Sequence, residues 1–152
     1  MKFRYKPYPN TPSATIPDGV LYRPVIPLRI TGNQGDAYVW ALVDTGADET
    51  LMPRALAEVI GIEPNDARQT WVSGYGGSRV PVAPAEVTLQ IGRAGKSLSW
   101  QATIGFAPFE EPEDEIALLG HAGALQFFNI TFSGNKREVE ITPAKNFPGR
   151  NK

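Results

Sequence analysis

The chain of 152 residues has no cysteine and a single histidine, His121. Without cysteine it has no disulfide, no thiol nucleophile and no cysteine ligand for zinc. With one histidine it cannot assemble a zinc site from several histidines, and a Ser–His–Asp triad would have to use His121. Carboxylates are therefore the main candidates for any acid–base chemistry that the chain performs.

Long apolar segments and an excess of one charge are also missing. No apolar run approaches the roughly 20 residues that a membrane-spanning helix needs. The 15 basic and 16 acidic residues give a net charge of −1, which predicts no broad basic face for nucleic acid but leaves room for a local basic patch. The start of the chain lacks the apolar core of a secretion signal, so we expect a cytoplasmic protein without a membrane or nucleic-acid partner.

Glycine and proline are frequent, with 15 and 14 residues, and they separate short segments rich in β-branched and aromatic residues. This pattern predicts roughly seven or more short strands in an all-β barrel or sandwich with one or two short helices. The predicted hairpins pair residues 25–30 with 37–43, 70–72 with 79–82, 86–91 with 97–106, and 129–132 with 137–141, and a further strand is predicted at 116–119. A short helix is predicted at 53–60, with one or two helical turns within 121–128.

The prolines concentrate at the start of the chain and predict a proline-rich N-terminal arm over residues 1–24. One domain follows over residues 25–141, and residues 142–152 are predicted to form a C-terminal tail of coil. Residues 109–115 contain five carboxylates and predict a solvated loop. An alternative for this acidic loop is that it selects basic substrates near a cleft.

The main candidate for a chemically active side chain is Asp44, which directly follows the apolar segment Ala41-Leu42-Val43. A carboxylate in that position is costly to bury unless it is hydrogen-bonded or shares a proton with another group. Gly46 lets the backbone turn sharply and approach a ligand closely. By itself, Asp-Thr-Gly is also compatible with an ordinary Asx turn after a strand.

The residues around Asp44 resemble the active-site loop of the aspartic proteases, in particular the single-domain retropepsins. The motif of that family is apolar–apolar–Asp–Thr–Gly–Ala–Asp–x–Thr, and it is matched over residues 42–51. The stretch Val-Ser-Gly-Tyr-Gly-Gly at 72–77 resembles the glycine-rich flap, and Ala-Leu-Leu-Gly-His at 117–121 resembles the second signature. The resemblance implies a small closed-barrel-like domain, closer to the cellular and bacterial members because the compact viral enzymes lack the helix at 53–60.

For catalysis, the resemblance implies an aspartic endopeptidase in which Asp44, Thr45 and Gly46 form the catalytic motif. Two facing carboxylates share one proton in such enzymes, so that one activates water while the other protonates the peptide carbonyl. The motif occurs once in this chain, so the second carboxylate must come from an identical partner in a homodimer. No metal or organic cofactor is implied. The alternative is a non-catalytic module of the same fold that binds or assembles proteins.

The substrate, a peptide or protein, is expected to contact the loop and the flap. The candidate substrate-binding residues are Asp48, Gly74, Tyr75, Gly76 and Gly77. Mainly apolar subsites are expected from Leu42, Tyr75, Val80 and Leu118. A glycine-rich hairpin tip without a role in binding is the alternative for the flap.

Three further positions are expected to support the site, namely Ala47, Gly120 and His121. Viral enzymes usually carry arginine at the position of His121, paired with the acid that matches Asp48. His121 either forms this pair or caps the short helix that follows. Ala47 lacks the hydroxyl that pepsin-like enzymes place beside the ionised carboxylate, so we expect highest activity in mildly acidic to neutral solution.

Overall fold

A computed structural model describes residues 1–74, 77–93, 95–108 and 117–151 of the chain. These residues contain thirteen strands and one α-helix, α1 (Arg54–Val59), so the predicted all-β class is confirmed. The strands are β1 (Lys2–Arg4), β2 (Lys6–Pro9), β3 (Val20–Arg23), β4 (Val25–Thr31), β5 (Asp36–Val43), β6 (Leu51–Pro53), β7 (Thr70–Ser73), β8 (Arg79–Arg93), β9 (Lys96–Ala107), β10 (Ala117–Leu119), β11 (Phe128–Ser133), β12 (Glu138–Pro143) and β13 (Arg150–Asn151). Short 3-10 turns lie at Asp66–Arg68, Leu125–Phe127 and Gly134–Lys136.

Six strands close into a hydrogen-bonded ring. Strand β4 pairs with β5 and β8, β8 with β9, β9 with β6, β6 with β10, and β10 with β5. The β5–β10 and β6–β9 pairs are parallel, and the other four are antiparallel. The ring confirms the closed-barrel prediction, and its parallel pairs bring the ends of β5 and β10 to the same edge.

Alternating side chains explain why these segments form strands around one core. In β4, Ile26, Leu28 and Ile30 are buried, whereas Pro27 is exposed and Arg29 is half-buried. Burying an isoleucine or leucine side chain contributes about 1.5–3 kcal/mol, so this face fixes the register of the strand. The other inward-facing residues of the core include Leu89, Ile91, Trp100, Ile104, Phe106, Val139 and Ile141.

Helix α1 lies within the predicted range 53–60 but is shorter. Pro53 still belongs to β6 and stands at the N-cap position, where its missing N–H leaves no helical hydrogen bond unmade. Gly61 ends the helix with a φ of 67°, and its N–H donates to the carbonyl of Glu58.

Both ends of the chain pair with the fold. Strand β1 adds to the sheet of β12 and β11, and β2 pairs with β3 as a two-stranded ribbon. In the tail, the Phe147 ring lies 5.2 Å from Phe128 and 6.2 Å from Trp100, and β13 then pairs with β9. The predicted coil of the tail is thus interrupted by a strand, while the division into arm, domain and tail stays a prediction. The acidic stretch at 109–115 lies outside the described residues.

Candidate active site

Asp44 stands at the edge of the barrel where two parallel strands end together. Val43, the last residue of β5, pairs with Leu119, the last residue of β10. The Asp44 N–H donates to the Leu119 carbonyl over 3.1 Å, which continues the pairing by one residue. Ala41 and Val43 at the end of β5 are buried, whereas Asp44 is half-buried, so its carboxylate emerges at the end of the core.

A tight turn fixes the Asp44 carboxylate. The Gly46 N–H donates to Asp44 Oδ1 over 2.9 Å, and the Ala47 N–H donates to the Asp44 carbonyl over 3.3 Å. A β-carbon on Gly46 would lie 3.3 Å from the same Oδ1, which is tighter than an ordinary contact. Within the described residues, Oδ2 accepts no hydrogen bond, so it is available to water or to a second carboxyl group.

The segment after β10 packs directly on this loop. The His121 N–H donates to the Ala47 carbonyl over 2.9 Å, and the Ala122 N–H donates to the Asp48 carbonyl over 2.8 Å. A β-carbon on Gly120 would collide with the Glu49 backbone and lie 2.8 Å from the Ala47 carbonyl oxygen. Glycine at this position therefore lets the two loops touch.

Thr50 joins the same two loops from inside the barrel. Its N–H donates to the Ala122 carbonyl over 3.0 Å, and its hydroxyl donates to the Gly120 carbonyl over 3.3 Å. The Thr50 carbonyl accepts from the Gly105 N–H over 2.9 Å. Because the side chain is fully buried, these bonds satisfy polar groups that would otherwise be costly to bury.

The His121 side chain contacts the Asp44 loop at the main-chain carbonyl of Thr45. Its Nε2 lies 3.1 Å from the Thr45 carbonyl oxygen, and no ion pair joins it to Asp48 among the described side chains. Of the two sequence alternatives, the structure therefore does not contain the His121–Asp48 pair. Thr45 and Asp48 are both exposed beside this contact.

A cleft of about 580 Å³ opens in front of Asp44. Its apolar wall consists of Leu51, Val72, Val80, Ala107 and Leu118. The cleft also brings together Asp44, Gly46, Ala47 and Asp48 from the predicted site. Of the predicted subsite residues, Val80 and Leu118 line this cleft and Leu42 does not.

The hairpin of β7 and β8 covers one side of the cleft. The Gly74 N–H donates to the Ser78 carbonyl and the Gly77 N–H to the Gly74 carbonyl, both over 3.2 Å. Gly77 has a φ of 81°, a backbone conformation that glycine adopts much more easily than residues with a β-carbon. The other two predicted flap residues, Tyr75 and Gly76, lie outside the described residues.

Several residues of the cleft were not singled out as site residues by the sequence, among them Leu51, Ala107, Trp71 and Glu49. Trp71 lies on β7 with 61% of its surface exposed, and half-buried Glu49 lines both the cleft and a neighbouring cavity of about 280 Å³. The sequence offered only weak signals for the last two: Trp71 is an aromatic residue shortly before the glycine-rich tip, and Glu49 is an acid next to Asp48. Neither residue has a spacing or motif that marks it without the fold.

The described part of the chain contains neither a membrane-spanning helix nor a metal-binding cluster. No helix there is long and apolar enough to cross a membrane. No cluster of three or more histidine and acidic side chains that could hold a metal ion was found there either.

Comparison with known families gave one match. The model of the family described as "Aspartyl protease" matches residues 26–104. This range is slightly more than half of the chain and contains the Asp44 loop, helix α1 and the β7–β8 hairpin, but it ends before Gly120 and His121. No curated protein matches the chain.

Proposed function

The chain belongs to the retropepsin-like aspartyl protease family, and on that premise we propose that it is an aspartic endopeptidase acting as a homodimer. The observation that carries the proposal is the placement of Asp44. Its carboxylate emerges at the shared end of β5 and β10, is held by the Gly46 N–H, and faces a cleft lined by apolar side chains.

In the proposed reaction, the Asp44 carboxyl groups of two copies share one proton. The ionised group takes a proton from a water molecule, whose oxygen attacks the peptide carbonyl carbon, while the protonated group donates its proton to the carbonyl oxygen. When the tetrahedral gem-diol collapses, the carboxyl that took the water proton donates it to the amide nitrogen, and the other carboxylate takes a proton from a diol hydroxyl. The C–N bond breaks, the amine leaves, and the pair of carboxyl groups again shares one proton. The Gly46 N–H keeps Oδ1 in position, so that Oδ2 is directed to the water and the second carboxyl.

The need for two copies follows from the single motif. Asp-Thr-Gly occurs at residues 44–46 and nowhere else in the sequence. A two-fold axis beside Asp44 would supply the second carboxyl from an identical loop. Thr45 is exposed there, so its side chain is accessible to the partner loop, and its carbonyl is held by His121.

The proposed substrate is an extended peptide segment with apolar side chains. Leu51, Val80 and Leu118 offer aliphatic surface, and the exposed Trp71 adds an aromatic wall. The glycine tip around Gly74 and Gly77 would close over the bound segment and exclude water, as mobile lids do in many enzymes.

The decisive variant is Asp44→Asn, which keeps the shape of the side chain but removes the shared proton. We expect cleavage of a mixed peptide library to fall by about a thousandfold or more, with an unchanged circular dichroism spectrum. Asp18→Asn is the matched control, because Asp18 is exposed and its Oδ1 accepts from the Val20 N–H, a role that asparagine can keep. Full cleavage by a folded Asp44→Asn protein would exclude this mechanism, whereas a folded wild-type chain that cleaves no peptide of the library would favour the non-catalytic module.

A further inference from the structure

A second surface of interest lies on the outside of the barrel, away from the Asp44 cleft. We call it the basic–aromatic shelf and define it by Arg4, Lys6, Tyr8, Tyr38, Trp40 and Lys96. Tyr38 and Trp40 alternate with inward-facing residues of β5, and they remain 74% and 48% exposed. Two large aromatic side chains left this exposed on one strand mark a candidate binding surface.

Cations of the ribbon are held against the rings of the shelf. Lys6 Nζ lies 4.1 Å from the ring centroid of Trp40 and 5.5 Å from that of Tyr8. Arg23 Cζ lies 5.3 Å from the Tyr8 ring. Cation–π contacts of this kind fix the positions of the charged groups before any ligand arrives.

A cavity of about 560 Å³ continues the shelf beside Trp40. Its polar lining is basic, from Lys2, Arg4 and Lys96, and its apolar lining includes Phe3 and Pro27. No carboxylate lines it among the described residues. The volume lies within the range of about 300–1,000 Å³ that is usual for ligand pockets.

The acidic neighbours neutralise only part of this charge. Lys2 Nζ lies 3.4 Å from Glu138 and 3.8 Å from Glu140. Arg29 Cζ lies 5.9 Å from the Tyr38 ring, and Arg29 is paired with Asp36 over 2.9 Å. Within the described part of the chain, Arg4, Lys6, Arg23 and Lys96 have no carboxylate within 4.0 Å. The surface therefore offers several unpaired positive charges although the chain as a whole has a net charge of −1.

We propose that the basic–aromatic shelf binds single-stranded nucleic acid. Phosphates would contact Arg4, Lys6 and Lys96, and bases would stack on the exposed surfaces of Trp40 and Tyr38. The two rings are two residues apart on β5, which separates them by about 7 Å and leaves room for one base on each. An acidic peptide would use the cations but leave both rings uncovered, so the observations favour nucleic acid. The net charge of −1 led to the expectation that the chain has no nucleic-acid partner. The proposal differs because positive charges are concentrated on this one surface.

The test is fluorescence anisotropy of a labelled oligothymidylate of about twelve nucleotides, titrated with the full chain. With three phosphate contacts, a plot of log K for binding against the logarithm of the salt concentration should have a slope of about −2. Lys6→Gln combined with Lys96→Gln should make this slope shallower by about 1.4. Trp40→Leu should weaken binding about tenfold with little change in slope.

Matched controls distinguish binding at the shelf from the general effect of removing positive charge or an exposed aromatic ring anywhere on the surface. Trp71→Leu removes an exposed tryptophan that lines the Asp44 cleft. Arg79→Gln with Lys145→Gln removes two exposed cations that do not belong to the shelf. Neither change should alter binding. The proposal fails if no saturable binding occurs at low salt, if the duplex binds equally well, or if the controls weaken binding as much. It also fails if polyglutamate binds better than the oligonucleotide and Trp40→Leu has no effect, which would identify an acidic peptide as the occupant.

Discussion

At the scale of single residues, Gly120 is where the Asp44 loop and the segment after β10 come closest. The β-carbon in Gly120→Ala would be forced into the Glu49 backbone, so the two loops must separate. Overpacking of this kind costs about 1–3 kcal/mol, and we expect cleavage to be lost with it because the Asp44 turn moves. Urea unfolding and peptide cleavage measure the two effects.

Gly134→Ala is the matched control for this substitution. Its β-carbon would meet no atom within 4 Å, so stability should change by less than about 0.5 kcal/mol. If Gly120→Ala were as harmless as Gly134→Ala, close contact of the two loops would not be needed.

A second prediction concerns the ion pair between Arg54 and Asp66. Two hydrogen bonds of 2.8 and 2.7 Å from Arg54 hold the pKa of the exposed Asp66 carboxyl below its ordinary value of 3.8. Because this pKa is lower in the folded chain, the pair stabilises the fold above pH 3.8 and this contribution is lost as the pH falls through the lowered pKa. Asp66→Asn should therefore lower the melting temperature by about 1–2 °C near neutral pH, with the difference vanishing at low pH.

Melting curves of the wild type and Asp66→Asn across this pH range test the sign. Asp18→Asn serves as a control, since Asp18 has no ion pair among the described residues. A difference between wild type and Asp66→Asn that grew toward low pH would contradict the assignment.

At the scale of elements, the β7–β8 hairpin rests on a small core of its own. Leu51, Val82 and Ala107 are buried there, with Val72 and Val80 packed against them. Val82→Ala removes buried surface from this core, so we expect a loss of about 1–3 kcal/mol in the free energy of unfolding and faster hydrogen exchange in β7.

Val59→Ala offers the same chemical change at an exposed position. Val59 ends α1 with 67% of its surface exposed, so its replacement should change stability by less than about 0.5 kcal/mol. Equal effects of the two substitutions would show that Val82 does not anchor the hairpin.

Elements with a local signature were predicted from the sequence, and elements without one were not. Strands β4 and β5 were found because their apolar residues alternate or cluster between glycine-rich turns. The pairing of β5 with β10 joins segments far apart in the chain, and periodicity alone cannot reveal such a pairing. Strand β13 has two residues, too few for any pattern, and its formation depends on β9.

The same distinction holds in the candidate site. Asp44 and Gly120 stand in recognisable motifs, and the structure brings their loops together. Trp71 enters the cleft only because β7 pairs with β8 in a register that leaves its ring exposed beside the Asp44 loop. The partner of His121 was left open by the sequence, since either a side chain or a backbone carbonyl could satisfy its ring.

At the scale of the whole molecule, net charge is a poor guide to its surfaces. The cleft contains Asp44, Asp48 and Glu49, whereas the basic–aromatic shelf carries Arg4 and Lys6 on another face. Opposite charges on separate faces cancel in the total, so a value of −1 conceals both. An anionic ligand is therefore directed to the shelf and repelled from the cleft.

The last prediction tests whether the active unit contains two chains. If each active site needs Asp44 from both copies, then mixed dimers of wild type and Asp44→Asn are inactive. After exchange of subunits, an equal amount of Asp44→Asn should reduce the activity of a fixed amount of wild type to about half, and a ninefold excess to about a tenth. An equal amount of Asp18→Asn should instead raise the total activity, because it adds competent chains. Activity that stayed constant as Asp44→Asn was added would mean that each chain acts alone, and the symmetric site would have to be abandoned.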